Sequence, residues 1–278
     1  MVNSMKTGTG WERGRRVHFD EIAADYDKIR WDYPEALYQD IFRYAGTGRK
    51  ALEIGAGTGK ATVPFLTAGY DVTAVEMGVN MSAFLSDKFK DRNNFKVITS
   101  TFEDAVLEED SYDLIYAASA FHWVDADIGC PKVFRLLKNG GVFALFRNNM
   151  IPAVGEELYE ETQAVYEKHY YSHFLTDERP VRIPKEDFWK PSELYRGFRF
   201  ENMEQYGFCD LMKNLYDAKR KYTTDEYMAL MDTMSDHRSL PESNRIALYE
   251  GIRNAIEKHG GYREAEYVYQ LYAGRKVQ

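Results

Sequence analysis

The sequence predicts an α/β protein built on a doubly wound, mainly parallel sheet. Two observations carry this. Short β-branched and apolar runs alternate with helix-period segments between Lys50 and Arg147. The first run enters a turn with glycine at Gly55, Gly57 and Gly59, and the second ends on an acid, Glu76. Strand, glycine turn, helix, strand and acid is the layout of a nucleotide-binding βαβ unit, whose acid about 20 residues on takes ribose hydroxyls. Strands alternating with helices pair in parallel, and ligands then bind at their carboxyl ends, where the strand order reverses.

The elements follow in order. Residues 19–44 read as helices broken near Pro34, with Leu37, Tyr38, Ile41, Phe42 and Tyr44 on one face. The first strand is Lys50–Ile54, and an apolar helix covers residues 60–68. Residues 71–75 form the second strand, 79–90 a helix, Phe95–Thr99 the third strand and 112–117 the fourth. A helix over 127–138 stops at Gly140-Gly141, ahead of a fifth strand over 142–147. A long helix rich in Tyr and Glu is expected over 156–173. Residues 175–200, with Pro180, Pro184 and Pro191 among aromatics such as Phe188 and Trp189, read as an irregular insertion suited to a lid or substrate wall. Residues 208–222 alternate like an edge strand, Thr224-Asp225-Glu226 opens a helix, 242–259 is another, and 266–274 alternates as a last strand. The expected organisation is an N-terminal helical lid (1–46), a cofactor-binding core (47–150), an inserted substrate or lid segment (151–206), and C-terminal strands and helices completing the sheet (207–278).

Spacing separates the ligand classes that use a glycine turn. A P-loop anchored on Gly59-Lys60 would put its first glycine on Ile54 and its hydroxyl residue on Ala61. The dinucleotide fingerprint read from Gly55 and Gly57 would put its third glycine on Lys60. What remains is E-x-G-x-G-x-G from Glu53.

Glu53-Ile54-Gly55-Ala56-Gly57-Thr58-Gly59 resembles the first motif of class I S-adenosylmethionine-dependent methyltransferases. Glu76-Met77 resembles the acidic end of that family's second strand. Phe102-Glu103-Asp104 sits where the family binds adenine, and Ser111 to Tyr116 resembles its fourth strand. Ala120-Phe121-His122-Trp123-Val124-Asp125 is similar to the A-F-H-W segment of a small-molecule branch. Leu136-Leu137-Lys138-Asn139-Gly140-Gly141 resembles the turn before the fifth strand, with Asn139 where proline is usual. The resemblance covers roughly residues 19–147 and implies a Rossmann-like, seven-stranded sheet whose last strand is antiparallel. It further implies S-adenosyl-L-methionine as cofactor, S-adenosyl-L-homocysteine as product, and methyl transfer by SN2 displacement to a small-molecule acceptor.

The cofactor set so implied is Glu53, Gly55, Ala56, Gly57, Gly59, Glu76, Met77, Phe102, Glu103 and Ala118. Glu76 is expected to accept both ribose hydroxyls, because an ionised carboxylate takes two donors. Gly55 and Gly57 let the main chain approach the methionine part. Glu53 would order the loop and the ammonium, and Phe102 would stack on adenine. The residues implied at the reaction are His122, Trp123 and Tyr26. Tyr26 matches a family tyrosine that closes over the cofactor, and His122 would face the methyl, as a wall or as a general base.

Composition narrows the alternatives. The net charge of −8 leaves no dense basic footprint for nucleic acid. No apolar run approaches the roughly 18 residues of a membrane helix, and residues 1–10 lack the apolar core of a secretory signal. Two cysteines far apart, Cys130 and Cys209, suit neither a disulfide framework nor zinc, so a cytoplasmic monomer or homodimer is expected. His169 and His173 are spaced i, i+4, but no third ligand converges, so no metal is expected. Two other functions remain open on sequence: a non-catalytic S-adenosylmethionine-binding protein, and a nicotinamide-dependent oxidoreductase.

Overall fold

The structure, a computed structural model, describes residues 27–30, 32–177, 179–189 and 200–277. Its centre is one seven-stranded sheet in the order β3-β2-β1-β4-β5-β7-β6. The strands are β1 (Lys50–Ile54), β2 (Asp71–Glu76), β3 (Phe95–Thr99), β4 (Tyr112–Ala118), β5 (Leu137–Ile151), β6 (Phe208–Thr223) and β7 (Tyr262–Lys276). The pairs β1·β2, β1·β4, β2·β3 and β4·β5 are parallel, and β7 runs antiparallel between β5 and β6. The order reverses between β1 and β4, as a doubly wound sheet requires.

Strand β4 illustrates why these residues form a buried sheet. Leu114 and Tyr116 point to one face and Ile115 and Ala117 to the other, and all four are buried. Three helices contribute to the first face: α1 (Glu35–Ala45), α2 (Thr62–Thr67) and α3 (Val79–Lys88). Their inward residues Leu37, Ile41, Phe65 and Leu85 are each 0 % exposed. Phe65 stacks on Tyr116 at 3.8 Å between ring centroids and meets Tyr38, Phe42 and Tyr70 edge-on or nearly so. Helix α4 (Ala126–Leu136) covers the opposite face with Cys130, Val133 and Leu136, and its Asp125 cap accepts from the Asp127 N–H.

Several boundaries differ from the sequence reading. Strand β5 extends to Ile151 because β7 pairs along it from Val142 to Ile151. Strand β7 likewise spans Tyr262–Lys276, since both its edges are occupied. The long helix expected over 156–173 is α5 (Glu157–Tyr166) followed by a π-helical turn at Glu167–Tyr171 and a last turn at Ser172–Phe174. That turn disrupts the regular i, i+4 face expected for His169 and His173. Helix α6 (Thr224–Asp232) opens at the expected Thr224, with Thr223 one residue earlier as the cap, which exchanges a full capping box with Glu226. Helix α7 (Glu242–Lys258) matches its expected extent to within one residue. Within the insertion, the described part holds 3-10 turns at Lys185–Trp189 and Phe200–Tyr206. No helix among the described residues is long and apolar enough to cross a membrane.

Candidate active site

A cavity of about 1270 Å³, counted with its mouth open to solvent, sits at the carboxyl ends of β1, β2 and β4, at the point where strand order reverses.

The glycine turn forms its floor. Gly55, Gly57 and Gly59 all take positive φ, at 68°, 56° and 80°. They differ in what a side chain would meet. A Cβ on Gly55 would lie 2.6 Å from the Ala120 Cβ, and one on Gly57 would meet nothing within 4 Å. One on Gly59 would collide with Phe89 and Leu85 at 2.6 and 2.8 Å. Gly55 and Gly57 therefore line the cavity, with Ala56, whereas Gly59 does not. Its role is close packing of the turn against the end of α3, a correction to its expected place at the cofactor.

Glu76 closes β2 opposite this turn and lines the cavity at 8 % exposure. Its two oxygens accept from the Gly57 N–H at 2.8 Å and the Gly78 N–H at 2.9 Å. The acid thus fixes the turn and keeps further lone pairs on both oxygens. Glu53 ends up 1 % exposed, with Thr62 and Tyr116 donating to the same oxygen at 2.5 and 3.0 Å. Burial outweighs these two bonds and pushes its carboxyl up to about 8. Met77, Phe102, Glu103 and Ala118 also line the cavity, which brings together every expected cofactor residue except Gly59.

The expected reaction residues separate. Trp123 lines the cavity, from a 3-10 turn (Phe121–Trp123) anchored by the buried Phe121. His122, in the same turn, does not line it: it faces a second, smaller hollow shared with Arg147 and Leu145. A three-residue turn sends successive side chains in different directions. Burial and the Arg147 charge lower its pKa to about 4, so the imidazole is neutral at pH 7. Tyr26 lies outside the described residues.

Other lining residues carried no local sequence signal. Tyr33, Ser119 and Asn148 form a chain across the wall, with Tyr33 Oη and Ser119 Oγ 2.6 Å apart and Ser119 Oγ donating to Asn148 at 3.3 Å. Ser119 takes φ 51°, rare for a non-glycine residue. Tyr269 reaches the same wall from β7 and packs edge-on against Tyr33. Arg30 lines the cavity and donates to Thr233 Oγ1 at 2.8 Å. Of these, Arg30 alone lies near an expected site residue, Tyr26, four positions earlier in the sequence. Among the described residues no group of three or more His, Cys, Asp or Glu is placed to hold a metal ion.

Residues 52–145, from β1 through the glycine turn to β5, match the family model of a methyltransferase domain. The chain carries a methyltransferase domain. An uncharacterised methyltransferase of Schizosaccharomyces pombe is 28 % identical over 247 residues, covering 86 % of this chain and 87 % of the relative. A Saccharomyces cerevisiae protein described as a probable S-adenosylmethionine-dependent methyltransferase is 30 % identical over 132 residues, covering 45 % of this chain and 44 % of its own. Among solved structures, a candidate type II methyltransferase from Anaeromyxobacter dehalogenans superposes with a TM-score of 0.57 at 21 % identity. That superposition covers 89 % of this chain and 97 % of the other, and it extends the shared fold beyond the domain match.

Proposed function

We propose that this chain binds S-adenosyl-L-methionine in the cavity at the sheet's switch point and transfers its methyl group to a small-molecule acceptor. The chain is an S-adenosylmethionine-dependent methyltransferase. The observation that carries the assignment of the site is the meeting of Glu76, the Gly55–Gly57 turn and Phe102 around one cavity.

The residues fit this cofactor. Gly57 offers open space where any other residue would place a Cβ. The Thr58 hydroxyl, in the same turn, is buried with no hydrogen-bond partner in the protein. The carboxylate of Glu76 lines a cavity that would receive a cation, and no P-loop spacing is present to hold phosphate. When bound, the cofactor supplies an electrophilic methyl carbon on a positively charged sulfur. Glu76 holds the ribose hydroxyls, the turn from Gly55 to Gly57 takes the amino-acid part, and Phe102 and Glu103 wall the adenine. Glu53 orders the turn through Thr62 and the sheet through Tyr116.

Trp123, Arg30, Tyr33, Ser119 and Asn148 border the acceptor side. They exclude water and align the acceptor, a contribution worth up to roughly 7–11 kcal/mol when alignment is good. His122 in this arrangement supports the Trp123 turn from behind, and no general base is assigned to it. Free Cys130 and Cys209 suit a reducing, cytoplasmic setting.

Isothermal titration of the folded protein with S-adenosylmethionine tests the reading. Saturable binding below millimolar concentration is expected, together with formation of S-adenosylhomocysteine when a metabolite pool is added. Heat-free injections, or tighter binding of NADH in a parallel fluorescence titration, would overturn it.

A further inference from the structure

Phe102, Glu103 and Ala105 belong to a segment with neither strand nor helix to hold its backbone. A single side chain from α4, packed on the same face of the sheet, gathers it. Lys132, on α4, donates to the carbonyls of Phe102, Glu103 and Ala105 at 2.7, 3.1 and 2.6 Å. An ammonium has three donors, and here all three are directed at one stretch of main chain. Its Nζ also lies 5.2 Å from the centre of the Phe102 ring. Local ties include Ala105 N–H to the Thr101 carbonyl at 3.0 Å and a mutual Thr101–Asp104 pair. Lys132 does not line the cavity, whereas Phe102 and Glu103 do.

We propose that Lys132 is a positioning residue for base recognition: by fixing three carbonyls it sets where the Phe102 ring and the Glu103 main chain meet the cofactor's purine. The inference rests on the adenine end of the proposed cofactor site. The geometry supplies the reason. In a trans peptide the C=O and N–H point opposite ways, so holding the Phe102 oxygen on α4 directs the Glu103 N–H to the other side of the chain. Three charge-assisted bonds to one lysine exceed what a solvated loop retains by itself. Without them, the stretch that contacts the base samples other turns, and selectivity for the base is lost before general affinity for the sulfur end.

Lys132→Met keeps the aliphatic stem and removes all three donors. Titration calorimetry with S-adenosylhomocysteine and with S-inosylhomocysteine, whose purine carries oxygen in place of the amino group, reads the effect. Wild type is expected to prefer the adenine nucleoside by about tenfold or more, and Lys132→Met to bring that preference below about threefold while weakening S-adenosylhomocysteine by about tenfold. Lys132→Arg keeps the charge but cannot converge three donors on one point, and an intermediate preference is expected; it serves if the methionine variant does not fold. Equal weakening of both nucleosides, or unchanged binding in a folded variant, overturns the inference. Wild type that binds neither nucleoside defeats the proposed function instead, so the two failures are told apart.

Discussion

Glu53 and Glu76 are both carboxylates lining one cavity, yet their surroundings give them different work. Glu76 accepts two main-chain N–H groups, one from Gly57 in the glycine turn and one from Gly78 just beyond β2. Its removal would cost the proposed ribose contacts and would also leave the Gly57 and Gly78 N–H groups without this acceptor. Glu76→Ala is therefore expected to raise the calorimetric Kd for S-adenosylmethionine by at least about tenfold, or 1.4 kcal/mol. Unchanged affinity would show that the ribose lies elsewhere. Glu53 is held neutral up to about pH 8 by burial. An unfolded glutamate ionises near pH 4.3, so between roughly 4.5 and 8 the folded state holds a proton that the unfolded state has lost. Stability contributed by this group is then greatest at the acid end and falls as pH rises through that window, by up to about 1.4 kcal/mol per pH unit. Glu53→Gln removes the titration. Urea unfolding at pH 5 and pH 8 should show wild type losing stability relative to the variant as pH rises, and parallel profiles would mean that Glu53 is already ionised.

Between elements, α2 and β4 meet through one ring pair. Phe65 is completely buried and stacks on Tyr116, whose hydroxyl donates to Glu53. Core packing and site geometry are thus joined through one ring pair. Phe65→Ala is expected to cost about 3–5 kcal/mol in urea unfolding at constant m, the range for emptying an aromatic from a well-packed core. A loss under about 1 kcal/mol would mean that the helix collapses to fill the space. The end of α4, expected at Gly140, falls instead at Leu136, and Gly140 lies inside β5. The element termini were legible where they used turn chemistry: the glycine turn after β1 and the acid-rich first turn of α6. The π turn after α5 was not, because Tyr166, Tyr170 and Tyr171 retain a helix-like spacing. What inserts the extra residue is tertiary: Tyr166 and Tyr170 reach His237 and Asp236 on the short helix Ser235–Arg238.

For the whole molecule, the last strand in sequence is interior in space. Strand β7 joins β5 on one side and β6 on the other. It also delivers Tyr269 to the cavity wall and Gln270, fully buried, to Arg147, Asn149 and the Phe188 carbonyl of the insertion. Deleting residues 260–278 strips β6 of its sheet partner and bares the edge of β5. Such a truncation is expected to lose cooperative unfolding and native circular dichroism altogether; a two-state melt with wild-type spectrum would show that β1 to β5 fold without it.

The sequence by itself determined the strand–helix alternation, the glycine turn and the acids at strand ends, because those depend on residues close in the chain and on backbone conformations that few residues allow. It therefore placed Glu53, Gly55, Gly57 and Glu76 at the ends of adjacent strands, and the family resemblance added Phe102 and Trp123 to the same cavity. Only the tertiary structure decided that Gly59 packs away from that cavity, that His122 turns toward Arg147, and that Tyr33, Ser119, Asn148 and Tyr269 make up its far wall. These depend on which way a side chain leaves a short turn and on which distant strand lies alongside, and both are fixed by packing across the sheet rather than by spacing along the chain.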